Sequence, residues 1–183
     1  MNANTIKIFI SYSHENDIWL TEYLDTRETK NPKYLLGFWR RSLRGKNVEF
    51  WYDREENRGI RGGDQWRERI FEEIDKADIA ILLITEDFII SPFIIDEELP
   101  YIINRYKQGK VEILPILLEP ARWQVLEIFK AYQLIPGKPT PLIRYLEASE
   151  HDWKNVRIEV LEAIENVIVK VEGKRKEREK HEK

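Results

Sequence analysis

The sequence predicts an α/β protein with a flavodoxin-like, doubly wound parallel sheet of about five strands flanked by helices. Short apolar runs rich in β-branched and aromatic residues alternate with longer amphipathic segments, which is the order expected of strands joined by crossover helices. The runs are apolar at successive positions rather than at every second one. That pattern is typical of strands covered by helices on both faces.

Four runs are predicted to be strands, and a fifth strand is poorly marked. The fifth is expected in either 131–136 or 140–145, where prolines break the chain into short pieces. The four clear runs are 6–12, 48–52, 79–84 and 111–118.

Amphipathic segments predict the helices. Asp64 is a suitable N-cap for a helix that ends near residue 77, and Ser149 with Asp152 can cap a last helix over about 151–171. In both segments apolar residues recur every three or four positions, as in a helix packed on a sheet. The stripes are Trp66, Ile70, Ile74 and Ala77 in the first, and Val156, Val160, Ile164, Val167 and Val171 in the last.

The segment 17–46 is too long for one ordinary helix. Asn31-Pro32 is expected to divide it, because the residue before a proline disfavours helical backbone angles. The second piece is predicted to pack through Tyr34, Leu35, Phe38, Trp39 and Leu43.

Composition indicates one folded domain with a charged tail. The chain has 183 residues, of which 42% are hydrophobic, enough for a packed core. The domain is predicted over 1–172. The tail, 173–183, carries six Lys or Arg against three Glu, and is expected to be disordered, a helix extension or a linker.

Several function classes are disfavoured by composition. The chain has no cysteine, which excludes thiolate metal sites and cysteine nucleophiles, and its three histidines are too dispersed to predict a metal site. A net charge of −3 gives no basic field for nucleic acid. No apolar run approaches the ~20 residues of a membrane helix, and no signal peptide is evident, so no membrane association and a cytoplasmic location are expected.

The most informative segment is 91–99, SPFIIDEEL, which follows the apolar run 79–84 by a few residues. A strand is expected to end, a short turn to intervene, and a helix to carry Glu98 just beyond the carboxyl end of the strand. In open α/β sheets, ligands bind at that edge.

Together with 7–13 (KIFISYS) and 50–53 (FWYD), this segment resembles the Toll/interleukin-1 receptor (TIR) domain family. The resemblance extends from Lys7 to about Ile168, through several blocks in the order of the family. It implies the TIR fold and, in the prokaryotic NAD-cleaving type, a catalytic glutamate. That glutamate directly precedes Leu or Ile in the family, which points to Glu98 before Leu99 rather than to Glu97.

A carboxylate at this position has a chemical rationale. Cleavage of the bond between ribose and nicotinamide passes through a cation-like sugar, and the leaving group is already a pyridinium. One carboxylate facing the developing positive charge can therefore contribute most of the catalysis without a strong general acid. Alternatively, Glu98 is a solvated residue on an amphipathic helix.

The resemblance also implies substrate contacts at the ends of the first two strands. Asp53 either lies beside the ligand or initiates its own turn, and Arg58 and Arg61, in a glycine-containing loop, either meet a pyrophosphate or face solvent. Some members have an aromatic residue four positions before the glutamate, where it helps to wall the nicotinamide pocket. Here that position is Ile94, and either Phe93 beside it substitutes as a substrate contact or the pocket is weaker. The implied contacts of the first strand are Phe9, Ser11, Tyr12 and Ser13.

The predicted function is NAD⁺ glycohydrolase activity in a self-assembling TIR effector of immune or antiphage defence. NAD⁺ is the substrate, and no cofactor is expected. The alternative is a non-enzymatic TIR module that acts through homotypic contacts. A response-regulator receiver is disfavoured, because Ser11-Tyr12-Ser13 supplies no pair of acids after the first strand.

The resemblance implies further copies of the domain as partners, with a sensor domain or protein as another candidate. Cleavage in the family often requires two protomers, with the loop from Asp53 to Gly63 moving and a neighbour completing the nucleotide site. Whether the product is linear or cyclic ADP-ribose stays open at this point.

Overall fold

A computed structural model describes residues 5–16, 35–53, 64–130, 133–137 and 140–181. The described residues contain a four-stranded parallel sheet in the order β2-β1-β3-β4, which confirms the predicted α/β class. The strands are β1 Ile6–Ser11, β2 Val48–Trp51, β3 Ile79–Ile84 and β4 Glu112–Leu117.

Helices cover both faces of the sheet, as the apolar residues at successive positions of the runs predict. Alternate residues of β3 enter opposite core layers: Ile79, Ile81 and Leu83 face α1, α6 and α7, whereas Ala80 and Leu82 face α2, α3 and α4. The helices are α1 Leu35–Ser42, α2 Asp64–Lys76, α3 Glu86–Ile90, α4 Leu99–Lys107, α5 Glu127–Lys130, α6 Leu142–Ala148 and α7 Glu150–His181.

The predicted stripe of α7 is confirmed except at Val167. Ile168 is fully buried, whereas Val167 is half-buried. Ser149 accepts a hydrogen bond from the Asp152 N–H at 3.0 Å, so the predicted cap is confirmed. The helix continues to His181 rather than ending near Val171.

Two predictions for the connecting segments need correction. Of the expected fifth strand 131–136 only 133–136 are described, and within them one parallel bridge joins Ile135 to Ile116. The alternative, 140–145, is wrong, because α6 begins at Leu142 within it. The turn expected after β3 is the short helix α3, whose first turn is capped by Thr85.

The predicted packing of α1 is confirmed where it is described. Leu35, Trp39 and Leu43 are buried against the sheet, and Phe38 packs beside them. The first piece of 17–46, its division at Asn31-Pro32 and Tyr34 lie outside the described residues. Among the described residues, no helix combines the length and the apolar character needed to cross a membrane.

We expect the central strand to dominate stability. Ile81 is fully buried in β3, so Ile81→Ala should lower the free energy of unfolding by about 2–5 kcal/mol through lost burial and a residual cavity. Ile158 is 47% exposed on α7, so Ile158→Ala should change the free energy of unfolding by less than about 1 kcal/mol. Urea unfolding of both variants measures the difference, and equal losses would contradict the two-sided burial of β3.

Candidate functional site

The predicted site residues converge at the carboxyl ends of the strands. Ser11 is the last residue of β1, and Asp53 follows β2 by two residues. Glu98 lies just after α3, in the segment that connects β3 to α4. Parallel strands bring these three positions to one edge of the sheet, where doubly wound folds bind ligands.

A π-helical turn, Ile94–Glu98, positions Glu98. Within it the Leu99 N–H donates to the Ile94 carbonyl, five residues back, instead of to the usual fourth. Pro100 follows, and its ring in a regular helix would clash with the carbonyl four residues earlier. The wider turn relieves that clash, and the Glu98 side chain is turned inward.

Glu98 is buried, with only 4% of its surface exposed. Its Oε1 accepts a hydrogen bond from the Ser11 hydroxyl, which joins the π turn to the end of β1. Burial raises the pKa of Glu98 to about 7; the Ser11 hydrogen bond opposes this rise, and the negative charge of Asp53 adds to it. The carboxyl therefore titrates near neutral pH, as is typical of functional sites.

Asp53 is held by groups from two other segments. Its Oδ2 accepts a hydrogen bond from Trp66 Nε1 at the start of α2, and its backbone carbonyl accepts one from the Tyr12 hydroxyl. His14 Nε2 lies 3.5 Å from the same Oδ2. These contacts fix the Asp53 carboxylate beside the end of β1.

Aromatic rings cluster around Asp53 and at the start of the π turn that carries Glu98. Tyr12 and His14 stack with ring centroids 5.0 Å apart, and Trp66 meets the His14 ring edge-on at 6.0 Å. Phe93, just before the π turn, packs against Trp66 with ring centroids 4.6 Å apart. Such rings offer flat apolar faces to a planar group that enters the site.

Comparison with known proteins identifies the fold. The family model described as "TIR domain" matches residues 40–140, a stretch that includes both Asp53 and Glu98. The chain belongs to the TIR domain family. It is thus a TIR-type signalling or effector module, in agreement with the resemblance seen in the sequence.

A curated relative of this TIR domain is the uncharacterized protein y4lF of Sinorhizobium fredii. The two are 27% identical over 143 residues, which cover 78% of the present chain and 39% of that protein. The chain therefore spans about two-fifths of the length of this relative.

Of the other residues predicted to contact the substrate, some lie near the site and others lie in the core. Ser13 is buried near the site, whereas Phe9 stacks on Trp51 at 5.3 Å and lies, like Ile94, within the core beneath the edge. The substrate roles of these residues stay predictions. Arg58 and Arg61 lie outside the described residues.

Glu97, the neighbour of Glu98, has a different environment. Its side chain is 36% exposed and pairs with Arg67 at 3.0 Å on the surface. The two adjacent carboxylates thus separate into an outer ion pair and an inner, buried group, as the choice of Glu98 over Glu97 requires.

Two residues of the site were not predicted as such from the sequence. Trp66 was assigned only to the core stripe of α2, yet its indole also donates to Asp53, thirteen positions earlier. His14 reads as an ordinary turn residue, yet it stacks on Tyr12 next to Asp53. The Trp66 contact depends on how α2 docks on the sheet, whereas the approach of His14 to Asp53 depends on the pairing of β1 with β2.

Within the described residues, no group of three or more His, Asp or Glu side chains could hold a metal ion. The site instead combines one buried carboxyl, a second fixed carboxylate and apolar ring faces. Such a site can hold hydroxyl groups and stabilise positive charge that develops beside it.

The raised pKa of Glu98 predicts how stability depends on pH. The native state binds a proton between the ordinary value of 4.5 and about 7, where the unfolded state has already lost it. Wild type should therefore lose stability as pH rises through this window. The free energy of unfolding of Glu98→Gln, relative to that of wild type, should increase by up to about 3 kcal/mol between about pH 5 and about pH 8.5.

Urea unfolding of both proteins at the two pH values measures this gain. The matched control is Glu97→Gln, which removes only an exposed ion pair and should cost less than about 1 kcal/mol at either pH. If the difference in the free energy of unfolding between wild type and Glu98→Gln is the same at both pH values, the Glu98 carboxyl is not a buried ionisable group.

Proposed function

We propose that this TIR domain cleaves NAD⁺ and releases nicotinamide, with Glu98 as the catalytic residue. The observation that carries the proposal is a buried carboxyl at the ligand-binding edge, titrating near neutral pH and held by Ser11. Membership of a family that includes NAD-cleaving enzymes supports the choice of substrate.

The reaction breaks the bond between C1′ of the ribose and N1 of nicotinamide. The bonding pair leaves with nicotinamide, which becomes neutral and requires no general acid. The positive charge then lies on the ribosyl group, where the ionised Glu98 stabilises it. Water captures C1′ and releases a proton to give ADP-ribose, or a nitrogen of the adenine attacks to give a cyclic product.

The residues around Glu98 have separate roles in this proposal. Ser11 orients the carboxylate through its hydroxyl, and Asp53 adds a second negative charge beside the developing cation. The rings of Tyr12, Trp66 and Phe93 provide apolar faces against which nicotinamide or adenine can stack.

Assembly with further copies of the chain is part of the proposal, as is a role as an effector in cytoplasmic defence signalling. A neighbouring copy would complete the nucleotide site, so that isolated domains have low activity. The rate per protomer should then rise with protein concentration, whereas a self-sufficient monomer has a constant rate.

The direct test measures nicotinamide release from NAD⁺ by chromatography, using concentrated protein in a crowding agent. Glu98→Gln should lower the rate by about 100-fold or more, because the neutral amide cannot stabilise the ribosyl cation. Glu97→Gln is the matched control and should keep most of the activity. The same chromatogram identifies the product.

Two results would overturn the enzymatic proposal. One is equal background release by wild type and Glu98→Gln under conditions in which the chain assembles. The other is equal loss in the Glu97 and Glu98 variants. The first result would favour the alternative, a module that acts only through contacts between TIR domains.

The pH profile provides a second test. If the ionised form of Glu98 is required, kcat/KM should rise with pH and level off above about 7. Ser11→Ala removes the hydrogen bond that favours ionisation, so it should move the midpoint to higher pH. A midpoint that is unchanged in Ser11→Ala would contradict this assignment.

A further inference from the structure

A second charged region lies at the opposite edge of the sheet, where the amino-terminal ends of β3 and β4 meet the last turns of α7. Glu112 accepts hydrogen bonds from Lys170, at 2.7 Å, and from Lys174. Asp78 accepts two from Arg175, both at 2.7 Å. Each acid of this edge is therefore paired with a basic side chain of α7.

Glu112 shows that this pairing is electrostatically effective. Burial alone would raise its pKa, but hydrogen bonds and positive charge from Lys170 and Lys174 outweigh burial and hold the pKa below its ordinary value. The carboxylate is thus fully ionised at neutral pH. It neutralises part of the basic charge of α7, but not all of it.

The turn between α4 and β4 brings further basic groups to this edge. Gly109, at φ 70°, donates to the Tyr106 carbonyl at 2.8 Å, and Lys110 N–H donates to the Arg105 carbonyl at 3.0 Å. This is a Schellman ending, in which glycine avoids the cost of a left-handed backbone. Arg178 of α7 donates to the Gly109 carbonyl at 2.7 Å.

A cavity of about 50 Å³ lies between this turn and α7. Its volume is several times the ~10–15 Å³ that one water requires, so it can admit a small polyatomic group. Four basic side chains line it against two acids, which leaves excess positive charge. The basic ones are Lys110, Lys174, Arg175 and Arg178, and the acids are Asp78 and Glu112.

One donor in this lining is incompletely satisfied. Arg175 Nη1 is buried and has no hydrogen-bond partner among the described residues, although Nη2 of the same guanidinium binds Asp78. A charged donor without a partner is unfavourable in a buried position.

We propose that this cavity binds a phosphate group, either as free phosphate or on a small phosphorylated molecule. A phosphate offers several acceptor oxygens and about two negative charges, which match arginine forks and lysine ammonium groups. The small volume suits one phosphate rather than a longer chain. This site is separate from the Glu98 edge and does not depend on NAD⁺ cleavage.

Calorimetric titration of the full chain with inorganic phosphate, at constant ionic strength in KCl, tests this proposal. Lys110→Gln combined with Arg178→Gln should weaken binding about tenfold or more, since each removes a charge-assisted donor. Neither residue pairs with Asp78 or Glu112, so the contacts between these acids and α7 remain. Circular dichroism checks that the double variant folds.

The matched control is Lys176→Gln combined with Lys180→Gln, which removes the same charge from exposed positions of α7 outside the cavity. It should change phosphate affinity less than about twofold. No saturable binding by wild type, or equal weakening in the two double variants, would overturn the proposal.

A parallel titration with adenosine monophosphate distinguishes the two sources of the phosphate. Because adenine can also stack at the Glu98 edge, only nucleotide affinity that is lost when Lys110→Gln and Arg178→Gln are combined is assigned to this cavity. For that part, affinity equal to or weaker than that of inorganic phosphate assigns free phosphate, and tighter affinity assigns a phosphorylated molecule. Glu98→Gln should bind phosphate as wild type does. Loss of NAD⁺ cleavage in that variant with phosphate binding retained would therefore separate the two proposals.

Discussion

The burial of the Glu98 carboxyl against the end of β1 is the interaction on which the candidate site depends. Removing a carboxyl group from water disfavours its ionised form, and the nearby charge of Asp53 adds to this effect. The Ser11 hydroxyl offsets part of the cost through a hydrogen bond. The balance leaves a group that can ionise at neutral pH yet is shielded from water, and in such surroundings its charge acts more strongly on a substrate.

The parallel sheet gives its two edges different chemistry. Carboxyl ends of the strands collect Ser11, Asp53 and the π turn, while the amino-terminal ends collect Asp78 and Glu112 under the basic turns of α7. The first edge contains a carboxyl group with little compensating charge, and the second contains acids that are fully paired. The two edges are separated by the length of the strands, so the paired acids hold α7 to the sheet at a distance from Glu98.

Much of this arrangement follows from local sequence patterns. Largely apolar runs predict β1 to β4, because a strand buried on both faces needs no polar alternation, although only β3 is apolar at every position. The choice of Glu98 over Glu97 comes from the resemblance to the TIR family, whose glutamate precedes Leu or Ile, and of the two side chains Glu98 is the buried one. The contacts of Trp66 and His14 with Asp53 could not be predicted, since the first depends on the docking of α2 and the second on the pairing of β1 with β2. In the described part of 131–136 the sheet gains only a single bridge at Ile135, and one bridge leaves little periodic signal in the sequence.

The most direct measurement of the central claim is a carbon-13 NMR titration of the Glu98 side-chain carboxyl, with its resonance assigned through its absence in Glu98→Gln. The account predicts a midpoint of about 7 in the folded protein. A midpoint near 4.5, the ordinary value for glutamate, would mean that the carboxyl is solvated, and would contradict the account.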